Sequence, residues 1–487
     1  MKRREVLLGM AAMTLGPVMT SSKNTQAAIL SSAGSPTADR HLLLDTRIVE
    51  EVRNAELTLG AVSKSNANPL FDEDKSWERR FDNLYANVLY DHEEQIYKCW
   101  YSPFIVSQST KGMTFEQRKE EKYGKHSQEM GICYATSKNG ISWDKPELGL
   151  VEYEGNKANN IVWRGGGVHK DWGGPHGTGI FKDLRDPDPS RRYKAILKDK
   201  ILSVAFSADG IHWGPAIACP EANSHGDTHN NAFWAPTLGK YVGITRQWGQ
   251  SDGKYVRQVA RTESDDFLNW DETEIVMEGL DTNQQTYAMP VFYYGGVYLG
   301  LVAIHDQEAD RVWTELTWSP DTENWHRVLP GTPLIANDGE YGDYDWGCAY
   351  AAAYPVFLDD EIRLYYGGSD GFHTSWRNGY FCMATLRPDG FAGYKASSAA
   401  TVVTTPVFDG AATLRVTADI ETHGGLIVRV LGDDQHVLTE SEVITGNVSD
   451  AEVRWADASA LDAISSDKTR LQFAFKNATV YSFSLVG

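Results

Sequence analysis

Carboxylates, imidazoles and cationic side chains recur at corresponding places along this 487-residue chain, each set just before or just after a β-prone run. Ahead of such runs stand Asp82-Asn83, His176, Asp227-Thr228-His229-Asn230, Asn283-Gln284-Gln285 and the segment from Glu340 to Asp345. Behind the paired runs stand Tyr101-Ser102, Lys198-Asp199, Arg246-Gln247-Trp248, His305-Asp306, and Ser369-Asp370 with His373. Carboxyls that converge on one concavity can divide acid and base work, one protonating a leaving oxygen while another activates water or attacks. Aromatic faces nearby, such as Trp248, stack on sugar rings. Asp or Asn before a strand also serves as a plain turn former; recurrence in five segments is what turns these residues into a candidate site. Asp82, Asp227, Asp345 and Glu340 are therefore the candidate catalytic carboxyls. His176, His229, Gln285, Arg246, Trp248, His305, His373 and Lys198 are the candidate substrate contacts.

The elements that would bring these residues together are counted by a repeated stretch, Val204-Ala205-Phe206-Ser207-Ala208-Asp209-Gly210-Ile211-His212-Trp213. A β-prone run enters a polar Asp-Gly turn, and a Trp follows three positions after the Gly. Variants run from Tyr134 to Trp143, from Ala260 to Trp270 and from Leu316 to Trp325, and a degenerate copy ends at Phe391. The aromatic markers at 143, 213, 270, 325 and 391 lie 70, 57, 55 and 66 residues apart. A period of that size built from strands alone matches a propeller blade of about four strands. The expected fold is all-β: a five-bladed β-propeller followed by a small C-terminal β-sandwich.

Paired runs fit each blade: 85–90 with 95–101, 179–181 with 193–197, 231–234 with 241–244, 288–292 with 297–301, and 350–356 with 362–366. In a propeller the starts of the inner strands and the far ends of the second strands open at the same mouth, so both residue sets above face it. A polar insert occupies 102–128 and reads equally as a solvated loop or a rim over the mouth. The Ser/Ala/Thr stretch 396–401 is a linker, and 402–487 carries strand patterns at sandwich spacing. The propeller spans 42–395.

The formal net charge of −20 disfavours nucleic acid and anionic membrane surfaces as partners; the carboxylates and aromatics above make a carbohydrate the expected one. It also disfavours an anionic substrate unless a local cluster overrides the global field; Arg246, Lys198 and the four histidines would supply one for a carboxylated or sulfated sugar. Residues 1–27 read as a bacterial export signal of the twin-arginine type, with Arg3-Arg4 ahead of Val6-Leu7-Leu8; 28–41 is a flexible lead-in. The protein is thus expected to be periplasmic or extracellular. The five cysteines are scattered without a CxxC pair, against a disulfide framework or a zinc site. No cofactor is required by this chemistry, although His176, His229, His305 and His373 at one mouth leave a bound calcium or other divalent ion open.

The chain resembles the five-bladed propeller glycoside hydrolases of families 32, 43, 62, 68, 117 and 130, and among them the family-32-like exported bacterial proteins. The likeness is carried by Trp77-Glu78 ahead of Val88-Leu89-Tyr90-Asp91, the Ser-x-Asp-Gly-x-x-Trp turns, Gly226-Asp227 with Asn230 to Trp234, Asp345-Trp346-Gly347, and Asp360 to Gly368. It implies an exo-acting hydrolase on plant or algal oligosaccharides, inverting, with Asp82 as base or nucleophile. Asp227 would be transition-state stabiliser or acid, and Asp345 or Glu340 the remaining carboxyl. No Trp-Met-Asn-Asp-Pro-Asn nucleophile motif is present, and Arg185-Asp186-Pro187, which follows an inner strand and runs into Asp188-Pro189, reads as a turn. The alternatives are a glycoside phosphorylase or transferase, and a non-catalytic glycan-binding propeller.

Overall fold

The structure, a computed structural model, describes residues 38–121, 128–165, 174–410, 412–457, 459, 461 and 469–487. The export segment, most of the lead-in and part of the 102–128 insert lie outside these. The chain is almost wholly β, and the one α-helix among the described residues is Phe115–Glu120. No helix among the described residues is long and apolar enough to cross a membrane.

The repeated turn is built the same way four times. Ser207 Oγ accepts the Gly210 N–H at 2.9 Å, Asp209 Oδ1 accepts the N–H groups of Ile211 and His212 at 2.8 Å, and the Trp213 indole donates to the Gly210 carbonyl at 3.0 Å. Ser137, Asn139 and Trp143 repeat this, as do Ser264, Asp266 and Trp270, and Ser319, Asp321 and Trp325. The side-chain oxygens satisfy N–H groups that the turn removes from the ladder. Each turn needs one left-handed residue, and the chain supplies Gly140, Gly210, Phe267 and Thr322 at φ between 65° and 78°. The fifth copy is used differently. Asp389 is buried and accepts from Arg40, Tyr294, Thr417 and Ser482, so it joins the propeller-like part to the C-terminal sheet.

Each of these turns closes the third strand of an antiparallel unit. Asn87–Asp91, Ile96–Tyr101, Glu129–Ser137 and Ile161–Arg164 pair in that order. His176–Lys182, Tyr193–Lys198, Leu202–Ser207 and Ile217–Ala218 make the second sheet, and Asn231–Ala235, Lys240–Ser251, Lys254–Ser264 and Glu274–Met277 the third. The remaining two repeats share one eleven-stranded sheet, joined where Val312 pairs in parallel with Cys348. First strands of successive units touch through buried asparagines: Asn87 Nδ2 donates to the Thr178 carbonyl at 2.8 Å, and Asn231 Oδ1 accepts the Val291 N–H at 3.0 Å. Ala353 N–H donates to the Ala86 carbonyl at 2.8 Å, linking the last unit to the first.

Non-local pairings finish the structure. Ser63–Lys64 and Phe71–Asp72 add to Gly379–Leu386, so the beginning of the chain completes the last unit. Ala38–Leu42, Val49–Arg53 and Glu56–Leu59 join the nine-stranded sheet of the tail, where Thr413–Leu431 pairs along Arg470–Val486. The shorter tail strands read from the sequence are thus segments of two long ones, interrupted by a register shift between Ile420 and Gly425. All five cysteines are free and buried.

The turns make a stability prediction. Asp209→Ala orphans two N–H groups and is expected to cost about 1 kcal/mol. Gly210→Ala places a Cβ 2.6 Å from Trp100 Cζ2 at φ +78°, adding that clash to the roughly 1–2 kcal/mol of left-handed backbone. Urea denaturation should show both midpoints lowered at unchanged slope, with Gly210→Ala the worse; the reverse order would show that the turn is held by its hydrogen bonds alone.

Candidate functional site

Backbone strain marks the first side of the site. Asp82, Leu84 and Tyr85 all lie in the left-handed region, at φ 54°, 64° and 46°. The β-run expected from Tyr85 therefore starts at Asn87, because the two residues before Ala86 turn the chain instead of extending it. Such strain, about 1–3 kcal/mol per residue, persists only where the surroundings impose it. Here they do. Buried Glu73 accepts the N–H groups of Phe81 at 2.7 Å and Gly379 at 3.1 Å through one oxygen. That clamp brings the Asp82 turn beside Arg377, whose Nη2 donates to Asp82 Oδ1 at 2.9 Å and Asn83 Oδ1 at 2.8 Å. Asn83 Nδ2 in turn donates to the Tyr85 hydroxyl at 2.8 Å and the Tyr287 hydroxyl at 3.3 Å.

The second side is Asp227. It is half-buried, and Arg246 Nη2 donates to its Oδ2 at 2.5 Å while His176 Nε2 lies 3.1 Å and Lys198 Nζ 3.7 Å from its Oδ1. His176 reaches it because Gly177, at φ +57°, runs so close to Thr228 that a Cβ there would lie 1.5 Å from the Thr228 carbonyl oxygen. Burial alone would raise the Asp227 pKa, but His176, Arg246 and Lys198 together hold the carboxyl well below the usual range. It is an anion at any working pH.

Tyr287 connects the two sides. Besides meeting Asn83, its ring lies 5.4 Å from the Arg246 guanidinium and 5.1 Å from that of Arg257. Both guanidiniums also face Trp248, at 5.0 and 4.9 Å. Gln285 Oε1 accepts from the Arg257 backbone at 3.3 Å and from its Nη1 at 3.2 Å.

The four histidines form two pairs. His176 and His229 pack on Tyr85 at 5.6 and 5.2 Å. His305 and His373 lie 4.3 Å apart beside Tyr287, with Asp310 and Tyr350 as their hydrogen-bond partners. Burial drives the His229 pKa down to about 3 and lowers His305 and His373 as well; these three rings are neutral. Among the described residues no group of three or more His, Cys, Asp or Glu side chains is arranged to hold a metal ion.

Two expected carboxyls stand apart from this group. Asp345 is buried in an ion pair with Lys64 Nζ at 2.8 Å and accepts from the Tyr366 hydroxyl at 2.8 Å. Glu340 lies on an exposed loop, where its N–H donates to Asp343. Arg185-Asp186-Pro187 lies in the connection between His176–Lys182 and Tyr193–Lys198, with Asp186 paired to Lys194. The described part of the insert packs down as a rim: Phe115 meets Tyr341 at 4.4 Å, and Arg118 pairs with buried Asp370 at 2.7 Å. Glu73, Tyr85, Tyr287, Tyr350, Arg257 and Arg377 were not singled out from the sequence. For Arg257 a signal existed, since the Asp252-Gly253 turn fixes the register that sets it opposite Trp248.

The Glu73 clamp is testable by pH. Burial raises its carboxyl from the ordinary 4.5 to about 8. Between those values the folded chain binds more protons than the unfolded one, so the contribution of Glu73 to stability falls as pH rises through that window. Glu73→Gln keeps the accepting oxygen and removes the titration. The unfolding free energy of wild type minus variant, from urea curves just above 4.5 and at about 8, should decrease with pH; a constant difference would show Glu73 ionised throughout.

No family model matches the sequence, and no curated protein matches it. Several solved structures align with it. A glycosyl hydrolase from Bacteroides ovatus is 14% identical over 67% of this chain and 94% of its own, with a TM-score of 0.46. A representative of the GH130 family of mannoside phosphorylases, which contains glycoside hydrolases that target β-1,2 mannosidic linkages in Candida mannan, is 15% identical over 68% and 95%, at 0.44. The β-1,2-mannobiose phosphorylase from Listeria innocua is 13% identical over 67% and 96%, at 0.45. At these values the likeness assigns neither substrate nor reaction to this chain.

Proposed function

We propose that the chain is an exported carbohydrate-active enzyme that hydrolyses glycosidic bonds, built as a five-bladed β-propeller with a small C-terminal β-sandwich. One observation carries the reading. Two carboxylates in the turns before separate sheets, Asp82 and Asp227, lie in one network of arginines, tyrosines and histidines; the cations around Asp227 hold it ionised, and the backbone at Asp82 is strained. Stored strain beside fixed charges is characteristic of chemistry more than of packing. Asp82 takes a proton from water in an inverting displacement. Asp227, kept ionised by its cations, stabilises positive charge on the sugar ring and holds His176, which carries the proton to the leaving oxygen. Trp248, exposed beside Asp227, stacks on a sugar. Asp345 serves the fold through Lys64, and Glu340 belongs to the rim.

The test is turnover on neutral, uronic and sulfated oligosaccharides, with and without phosphate, with the anomer of the first product followed by NMR. Asp82→Asn, Asp227→Asn and His176→Asn are each expected to lose at least about a hundredfold in rate with melting temperatures near wild type. Asp345→Asn is expected to retain rate and lose about 1–3 kcal/mol of stability. Wild-type rates in the first three overturn the assignment, and product formed only with phosphate replaces hydrolysis by phosphorolysis.

A further inference from the structure

Arg246 and Arg257 stand out when charges are matched. They sit on adjacent strands, with Trp248 between them in sequence and directly opposite Arg257 in register. Arg246 has a carboxylate partner in Asp227, which it shares with Lys198 and His176. Arg257 has no carboxylate within ion-pair distance among the described residues; its acceptor is the neutral Gln285 amide. Two guanidinium nitrogens, Arg246 Nη1 and Arg257 Nε, are buried without any hydrogen-bond partner. Arg246 is only 5% exposed. Burial and the neighbouring Arg246 together lower the Arg257 pKa, the mark of a cation short of its counter-ion.

A partly buried cation without a counter-ion is costly, and a protein whose net charge is −20 has no shortage of carboxylates to place there. Both guanidiniums instead lie against the same two rings, Trp248 and Tyr287, and Trp248 is 45% exposed. The unmet donors therefore adjoin an open aromatic face, next to the half-open carboxylate of Asp227.

We infer that the substrate is an acidic glycan, whose carboxylate or sulfate oxygens complete the hydrogen bonding of Arg246 and Arg257 while its ring lies on Trp248. Guanidinium forks match the oxygens of either group. This inference rests on the carbohydrate reading above and narrows it to sugars that carry a fixed negative charge near the bond to be cleaved.

Isothermal titration of the full chain with tetragalacturonic acid, a sulfated galactan tetrasaccharide and the neutral galactan tetrasaccharide of the same linkage tests it, with inorganic sulfate and phosphate as separate arms. One acidic tetrasaccharide should bind at least about tenfold tighter than the neutral one and weaken with added salt. Arg257→Gln should remove that advantage and Arg257→Lys should retain part of it, each ratio taken against the neutral sugar on the same variant. Melting temperatures establish that both variants are folded. Equal affinity for acidic and neutral sugars overturns the inference, as does acidic binding that survives Arg257→Gln. Binding of inorganic anions through Arg257 with no binding of acidic sugars overturns it too, because the anion would then be free and not part of the glycan. Turnover of a neutral glycan that is lost in Asp82→Asn but kept in Arg257→Gln overturns this inference alone. Arg257-dependent binding of an acidic glycan without any product overturns the hydrolase reading alone.

Discussion

The bridge from Arg377 to Asp82 and Asn83 is the interaction on which the site depends. Arg377 is buried and donates only, so the oxygens that meet it are fixed as acceptors. Asn83 must then present its carbonyl oxygen to Arg377 and its amide nitrogen to Tyr85 and Tyr287. Those hydroxyls accept, leaving their own protons to be donated onward. One guanidinium thus sets the polarity of a chain that runs from the last unit, through the first, to the ring shared by Arg246 and Arg257. Because Arg377 comes from the last unit and Asp82 from the first, this polarity is established only when the sheets have closed on one another.

Charge explains why the site is cationic in an acidic protein. At −20 the molecule repels anions at long range. Within the network, Arg246 and Lys198 surround Asp227 and Arg377 meets Asp82, and burial makes the short-range part of the field the stronger one. The same cations account for the division of labour between the carboxylates and the rings. Asp227 stays ionised because they surround it, and His229, His305 and His373 stay neutral because burial and neighbouring positive charge both oppose a further proton.

Local features were legible in the sequence and long-range ones were not. The Ser-x-Asp-Gly-x-x-Trp turn could be counted because every hydrogen bond in it lies within six residues, so its pattern is complete in the string. Asp227 with His176 and Arg246 could be nominated because each is polar and lies just before or after a short β-prone run, although Arg246 is in fact inside the longer strand Lys240–Ser251. The ion pair of Asp345 was not legible for the opposite reason. Asp345 ends the run Glu340-Tyr341-Gly342-Asp343-Tyr344-Asp345, which has no periodicity, and its partner Lys64 arrives from a strand near the start of the chain that closes the last unit. Arg377 lies between strands, where neither period applies. The strain at Leu84 and Tyr85 contradicts their β-prone types, and no pattern of residue types encodes a backbone imposed by Glu73 from eleven and twelve positions away.

The 115–120 helix and the 240–264 hairpin hold their aromatic side chains differently. On one flank the 115–120 helix from the first unit packs Phe115 against Tyr341, Trp346 and Phe372, and Arg118 is buried with Asp370. That side is filled with side chains. On the other flank the hairpin of Lys240–Ser251 and Lys254–Ser264 remains paired to its tip, from Tyr241 opposite Ser264 to Ser251 opposite Lys254. It carries exposed Trp248 and Tyr255. A long paired hairpin is stiff, and aromatic faces on it offer a track for successive sugar rings. On the helix Phe115 is held by three neighbouring rings, whereas on the hairpin the ladder holds the backbone and leaves Trp248 and Tyr255 to solvent.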